Sequence, residues 1–191
     1  MNKKIVKSTP FGDVGIIWTT TGRGPTIIRV LLSKPVLSAE SPVSELYTNV
    51  RTASCAEINA VASGIRRLLQ GDSVEFSLDI ADLSLCGEFQ QRVLRAEHAI
   101  PRGSVSSYRL IATHLGEPNG ARAVGNALAN NPFPLIVPCH RAIRSDRHLG
   151  GYQGGLEMKR ALLTKEGITF DDVGRVKCGR FHYEHQGRAR Q

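Results

Sequence analysis

No apolar run in these 191 residues reaches the roughly 18 that a membrane helix needs. The opening MNKKIVKSTPFGD carries lysines but no apolar signal core behind them. No internal repeat is visible. The four cysteines, Cys55, Cys86, Cys139 and Cys178, form no CxxC pair, which speaks against a disulfide framework and for a reducing compartment. Cys178 stands near His182 and His185, but the spacing matches no closed zinc motif and a fourth ligand is missing, so no metal is expected. What remains has the composition of a globular protein, 41% hydrophobic and 22% charged. The length suits one large domain or two small ones. The expectation is a cytoplasmic protein without a membrane partner.

The net charge of +8 is unevenly placed. Residues 1–85 hold nine Lys/Arg against eight Asp/Glu, whereas residues 86–191 hold sixteen against nine. A basic second half suggests a polyanionic partner, with a solvated basic surface as the plain alternative.

The first half reads as a small α/β unit. VGIIW (14–18) and TIIRVLL (26–32) are β-branched runs flanking TTTGRGP, which predicts a hairpin. Residues 34–45 are Pro/Ser-rich and read as a loop. A helix is expected from Ser54, with Glu57 three residues later completing a capping box and Gly71 ending it. SVEFSLDI (73–80) alternates as a strand should. In the second half, EFQQRVLRAEHAI (88–100) places Phe89, Val93, Ala96 and Ile100 on one helical face. A short helix capped by Ser106 or Ser107 runs through Leu115, and GARAVGNALANN (120–131) forms another. Two short helices about a tight turn resemble a helix-turn-helix, a weak signal by pattern alone. Arg122 sits in the first turn of the second helix, where a cation opposes the helix dipole and hints at work elsewhere. A last helix is expected over Leu156–Lys165. The tail after Asp172 is basic, weakly apolar and expected to be mobile.

The chemistry centres on PLIVPCHRAIRS (134–145). Cys139 is followed at once by His140 and Arg141, an arrangement that suits a thiol meant to ionise, since the thiolate is the nucleophile. On a strand His140 would point away from the sulfur; in a turn it could reach it directly or through water. Glu166, a carboxylate at a helix C-terminus, breaks the dipole rule as Arg122 does, and it could orient the histidine.

YRLIATHLG, GARAVGNALANNP, PLIVPCHRAIRSD and LGGYQGGLEMKRALLTKEG together resemble the O6-alkylguanine-DNA alkyltransferase family. The likeness runs from about Phe89 to Gly167 and more faintly to STPFGDVGIIW. It implies a small ribonuclease H-like α/β domain over 1–85. A mainly helical, winged-helix-like domain over 86–172 would carry the site, followed by a tail over 173–191. The implied reaction is direct reversal of damage in double-stranded DNA: the Cys139 thiolate takes the alkyl group from guanine O6 and keeps it, once per molecule and without a cofactor. O4-alkylthymine is a possible second substrate of such a site. By the same resemblance His140, a water and Glu166 relay the thiol proton. Tyr108 donates a proton to the departing guanine and crowds the phosphate. Arg122 fills the space of the flipped base. Ala121 and neighbouring small residues admit the helix to the minor groove, with Arg109 beside Tyr108 on the DNA side. Asn131 ties the recognition helix to the active-site segment. Tyr152 walls the base pocket, backbone groups of Cys139, Ala142 and Gln153 read the guanine edge, and Lys159 helps close the site. A monomer is implied.

Two positions depart from the family pattern. Arg147 stands where a glycine is common, in a turn, and with His148 could alter the loop or add a phosphate contact. Gln153 replaces a smaller residue and would narrow the pocket against large alkyl groups. Three other readings compete. A lesion-binding relative would lack the acceptor cysteine. A DNA-binding regulator would be indifferent to Cys139. A cysteine hydrolase would need an oxyanion hole that no motif supplies.

Overall fold

The structure is a computed structural model that describes residues 1–33 and 50–184. The expected loop at 34–45 and the last residues of the tail lie outside them. The expected hairpin is present and longer than its apolar runs. Strand β2 spans Gly12–Thr21 and β3 Gly24–Leu32, paired antiparallel from Val14↔Leu32 to Thr21↔Gly24. Strand β1, Asn2–Thr9, pairs antiparallel with β2, and the short β4, Arg51–Thr52, runs parallel to β1, giving the order β3-β2-β1-β4. β1 carries little sequence signal because only Val6 and Thr9 of its eight residues are buried.

Helix α1, Ala56–Gln70, packs on β1 through Ile58, Val61, Ile65, Leu68 and Leu69. Gly71 ends it at φ 113, a left-handed cap that glycine adopts without a Cβ clash. The expected capping box does not form. The N-cap is Cys55, and no side chain caps the helix. Glu57 falls in the first turn instead, where bonding to the backbone lowers its pKa.

The expected strand at 73–80 is also absent. Ser77 Oγ accepts the Asp79 N–H at 3.1 Å and opens a 3-10 turn over Leu78–Ile80. This local bond displaces ladder pairing. The apolar alternation is real but serves packing: Val74 and Phe76 lie against Gly64 of α1, where a Cβ would stand 2.8 Å from the Phe76 ring. Gly64 is thus a close-approach glycine.

The second half holds α2 (Glu88–His98), β5 (Ser106–Ser107), α3 (Tyr108–His114), α4 (Ala121–Ala129), β6 (Ala142–Ile143) and α5 (Gly155–Lys165). Val93, Ala96 and Ile100 are buried on the α2 side as expected. Ser107 is the α3 cap, its hydroxyl accepting the Leu110 N–H at 3.2 Å. Helices α3 and α4 pack on each other and on α2. One apolar core runs through both halves, from Val6, Ile16 and Ile65 to Val93, Phe133 and Leu162. Val30 N–H donates to Pro132 O at 2.7 Å, tying the sheet to the segment that leads to Cys139.

The segment after Asp172, expected to be a mobile tail, makes specific contacts as far as Glu184. β7 (Thr169–Phe170) pairs antiparallel with β8 (Val176–Lys177), and Val176 completes a second small core with Val105, Ile143, Leu163 and Ile168. His182 N–H donates to Val105 O at 2.8 Å, Tyr183 Oη donates to Ala96 O at 2.8 Å, and the Tyr183 ring stacks on His114 at 3.9 Å. A few apolar residues among many polar ones suffice, because each meets a cavity already lined by the helices. Truncation before Val176 should therefore destabilise the protein by about 2–4 kcal/mol, from one buried valine and several lost hydrogen bonds. Urea unfolding of the full and shortened chains measures this.

Candidate active site

The segment after α4 aims the cysteine. Asn131 is buried, its Oδ1 accepting the Phe133 N–H at 2.9 Å and its Nδ2 donating to Val137 O at 3.2 Å. These bonds close Phe133–Val137 into a buried loop in which Leu135 adopts φ 74, a conformation rare for a branched residue. The chain leaves through Pro138 into a 3-10 turn, Cys139–Arg141. His140 is thus in a turn and not on a strand.

The turn delivers His140 and Arg141 to Glu166, which caps the end of α5. His140 Nε2 lies 2.9 Å from Glu166 Oε1. Arg141 Nη2 donates to Oε1 at 2.8 Å and its Nε to Oε2 at 3.0 Å, while Nη1 donates to Ile100 O at 2.7 Å. Arg141 is therefore spent on holding the carboxylate and does not serve as a cation for the thiol. Burial alone would raise the Glu166 carboxyl, but the bonds from His140 and Arg141 bring it down to about 2. Burial holds the His140 imidazole below its ordinary range, against the pull of Glu166. An ionised carboxylate only accepts, so the hydrogen is assigned to Nε2. Nδ1 is left as an acceptor, buried and without a hydrogen-bond partner among the described residues.

The thiol departs from the sequence expectation. Burial pushes Cys139 up to about 11; the Asn131 side chain opposes this, Glu97 adds to it, and Lys159 opposes it. Arg141, which looked activating in sequence, is turned to Glu166, and burial leaves the resting thiol neutral.

Cys139 opens into a cavity of about 360 Å³, lined also by Tyr108, Gly125, Leu128, Ala129, Gly151, Tyr152 and Gln153. Tyr108, at the start of α3, lies against Gly150, where a Cβ would stand 2.7 Å from the phenol oxygen. Gly150 has φ 69, so both space and conformation call for glycine there. Burial raises the Tyr108 phenol to about 12 and the Tyr152 phenol well above its ordinary value, keeping both hydroxyls protonated. The Tyr152 ring meets His140 edge-on, with centroids 6.3 Å apart.

Two expected pocket residues stand behind the wall. The Ala142 carbonyl accepts from Lys159 Nζ at 2.7 Å, and the same ammonium donates to Leu149 O at 2.6 Å and Gly151 O at 3.2 Å. Lys159 thus pins the 149–151 loop to β6, and neither it nor Ala142 lines the cavity. Gln153 does line it, but its amide turns away and donates to Ala129 O and Asn131 O at 2.9 and 2.8 Å, bracing the end of α4. Arg147 has φ 68, which explains why glycine suits that turn; its guanidinium lies 5.9 Å from the Phe181 ring centre.

On the outer side, Arg122 is exposed in the first turn of α4, and Arg109 is exposed on α3. Ala121, Ala123, Gly125 and Ala129 keep α4 slim beside Arg122. Two features escaped the sequence reading. The clamp role of Arg141 lay hidden because its partner is 25 residues away. Glu97, fully buried on α2, was legible as a charged residue one turn after Val93 on the apolar face.

The cluster gives the protein an acid limit. Glu166 is held below its unfolded pKa and His140 is held neutral below its own. Both contributions are complete above the unfolded values and are lost as pH falls, first through the ordinary histidine range and then below the ordinary carboxylate range. Urea midpoints should drop from neutral pH to about pH 4. Glu166→Gln should cost about 3–5 kcal/mol, because Arg141 keeps a buried charge without its counter-ion.

Known proteins share this arrangement. Residues 88–168 match the family model for the 6-O-methylguanine DNA methyltransferase DNA-binding domain. The chain is 37% identical over 162 residues to a methylated-DNA–protein-cysteine methyltransferase of Methanothermobacter thermautotrophicus, covering 85% of this chain and 84% of that one. It is 41% identical over 136 residues to a protein of the same name from Mycolicibacterium paratuberculosis, covering 69% and 81% of the two chains. A crystal structure of Mycobacterium tuberculosis OGT in complex with DNA superposes with a TM-score of 0.69 at 30% identity, covering 87% of this chain and 92% of that one. With a neutral thiol at the base of a tyrosine-walled cavity and relatives matched along most of its length, the chain belongs to the methylated-DNA–protein-cysteine methyltransferase family.

Proposed function

We propose that this protein repairs O6-alkylguanine in double-stranded DNA by moving the alkyl group onto Cys139 Sγ, once per molecule. One observation carries the reading: the buried thiol opens into a cavity between two protonated tyrosines and the helix α4. A target atom stacked inside a duplex cannot reach a buried thiol, so the reading requires that the base be extruded into this cavity.

The proposed step balances as follows. The Sγ–H proton passes to His140 Nδ1, directly or through a water, while Glu166 holds the opposite edge of the ring. The Sγ–C bond forms as the C–O6 bond breaks. The departing guanine takes a proton from the Tyr108 hydroxyl, and no cofactor takes part because sulfur is the acceptor. Asn131 keeps Cys139 and the end of α4 in register. Tyr152 provides the stacking wall, the backbone at Cys139 and Gln153 meets the base edge, and the side of Gln153 limits the alkyl group's size. Ala142 and Lys159 support the loop that closes over the base.

On DNA, α3 and α4 act as the helix-turn-helix. The slim face of α4 enters the minor groove, Arg122 fills the space of the extruded base, and Arg109 meets a phosphate. All of these residues belong to one chain, so the acting unit is a monomer. Within the described residues no helix is long and apolar enough to cross a membrane. We divide the chain near residue 85, with a ribonuclease H-like sheet unit before it and a winged-helix-like unit after it.

Incubation with a duplex holding one O6-methylguanine should add one methylene to the Cys139 peptide, saturating at one per protein by intact mass and peptide mapping. Binding without mass gain in reduced protein would leave a lesion sensor or a regulator. Arg122→Ala should slow transfer from duplex DNA on the order of tenfold to a hundredfold, the scale set by unstacking a base. Its reaction with free O6-methylguanine base should not change, because that substrate needs no extrusion.

A further inference from the structure

Glu97 has no place in the chemistry above, yet it is fully buried in the last turn of α2. No side chain among the described residues hydrogen-bonds either carboxylate oxygen, and of backbone groups only the Ala142 N–H stands close enough to favour the ionised form. A carboxylate in that condition is costly, and a leucine or methionine would pack there without penalty. Its surroundings are defined. Helix α2 packs against α3, α4 and the 3-10 turn that carries Cys139. The charged or titratable groups within electrostatic reach are Tyr108 of α3, Cys139 and Arg141 of the turn, Lys159 of α5 and Tyr183 of the C-terminal segment. Helix α4 carries only the exposed Arg122.

Among these, Arg141 is already matched by Glu166. Lys159 is not matched. It is fully buried, which lowers its pKa to about 8, and its ammonium donates to three backbone carbonyls and, among the described residues, to no carboxylate. Carbonyl dipoles satisfy its hydrogen bonds but leave a net positive charge in a medium of low dielectric. Two groups nearby can supply the balancing negative charge, the Glu97 carboxylate and the Cys139 thiolate.

We propose that Glu97 is a positioning residue that competes with the Cys139 thiolate for the buried charge of Lys159, and so holds the unloaded thiol in its protonated form. With Glu97 ionised, the interior is balanced, and ionising Cys139 would place a second negative charge beside one cation. With Glu97 protonated, the thiolate becomes the counter-ion of Lys159. The thiol is active only when Glu97 carries a proton, so one proton leaves sulfur and one stays on the carboxyl. Burial raises Glu97 to about 8 against the pull of Lys159 and Arg141, which puts its change of charge near neutral pH. This deepens the repair reading, in which the thiolate is the attacking group.

The test uses the full chain without DNA. The rate of Cys139 alkylation by iodoacetamide is followed by peptide mass from about pH 7 to about pH 12 in the native protein, Glu97→Gln and Glu97→Leu. Both variants should move the midpoint of the pH profile down by at least about one unit, a rate gain of about tenfold on the rising limb. A midpoint that is unchanged or raised in a folded variant overturns the proposal; if only one variant folds, that one decides. Loss of the fold in both variants overturns it too, because the carboxyl would then be a structural requirement. Iodoacetamide needs no base pocket, so a failure here leaves the repair reading intact, and a missing mass gain from damaged DNA leaves this result interpretable.

Discussion

The buried ion pair between Arg141 and Glu166 is the constraint on which the rest of the site depends. Taking two such charges out of water is unfavourable. It is offset only by close geometry, here two guanidinium nitrogens on one carboxylate and a third on the Ile100 carbonyl. The arrangement joins the end of α5, the end of α2 and the turn that carries Cys139. It also fixes Glu166 as an anion, and an anion leaves His140 a single sensible tautomer. The base in the proposed relay is thus set by an interaction that never touches the sulfur.

A second consequence follows from the same burial. A cysteine enclosed with His140, Tyr152 and apolar neighbours is raised well above its ordinary pKa, so the resting site is quiet. A reagent that can be used only once gains from such quiet, since any stray electrophile would spend it. In the proposed reading, specificity lies in how the thiol is switched on: by a base seated between Tyr108 and Tyr152, and by the charge balance around Lys159. The loop over the cavity is held by that lysine on one side and by Gln153 on the other, so the parts that shape the pocket also hold the end of α4 in place.

Legibility in the sequence followed the range of the forces involved. The β2–β3 hairpin, α1, α2, α3, α4 and α5 were readable because periodicity and turn chemistry are local. The alternation at 73–80 was readable as apolar spacing but not as conformation, because Ser77 offered the backbone a nearer partner than any strand. The tail through Glu184 read as polar because its order rests on Val176 and Tyr183 meeting surfaces built by distant helices. Cys139, His140 and Glu166 stood out because each sits where its charge or chemistry fits poorly with its immediate neighbours.

The residue types and spacing of the sequence by themselves determined the helices and the β2–β3 hairpin, singled out Cys139 and His140 as the candidate nucleophile and base, and pointed to the family. Only the tertiary structure decided the charge states. It turned Arg141 from a neighbour of the thiol into a clamp on Glu166, made the thiol neutral, left His140 with one free nitrogen, and enclosed Glu97 and Lys159 together. The physical reason is that ionisation depends on desolvation and on partners brought together from far along the chain, neither of which is a property of a linear pattern.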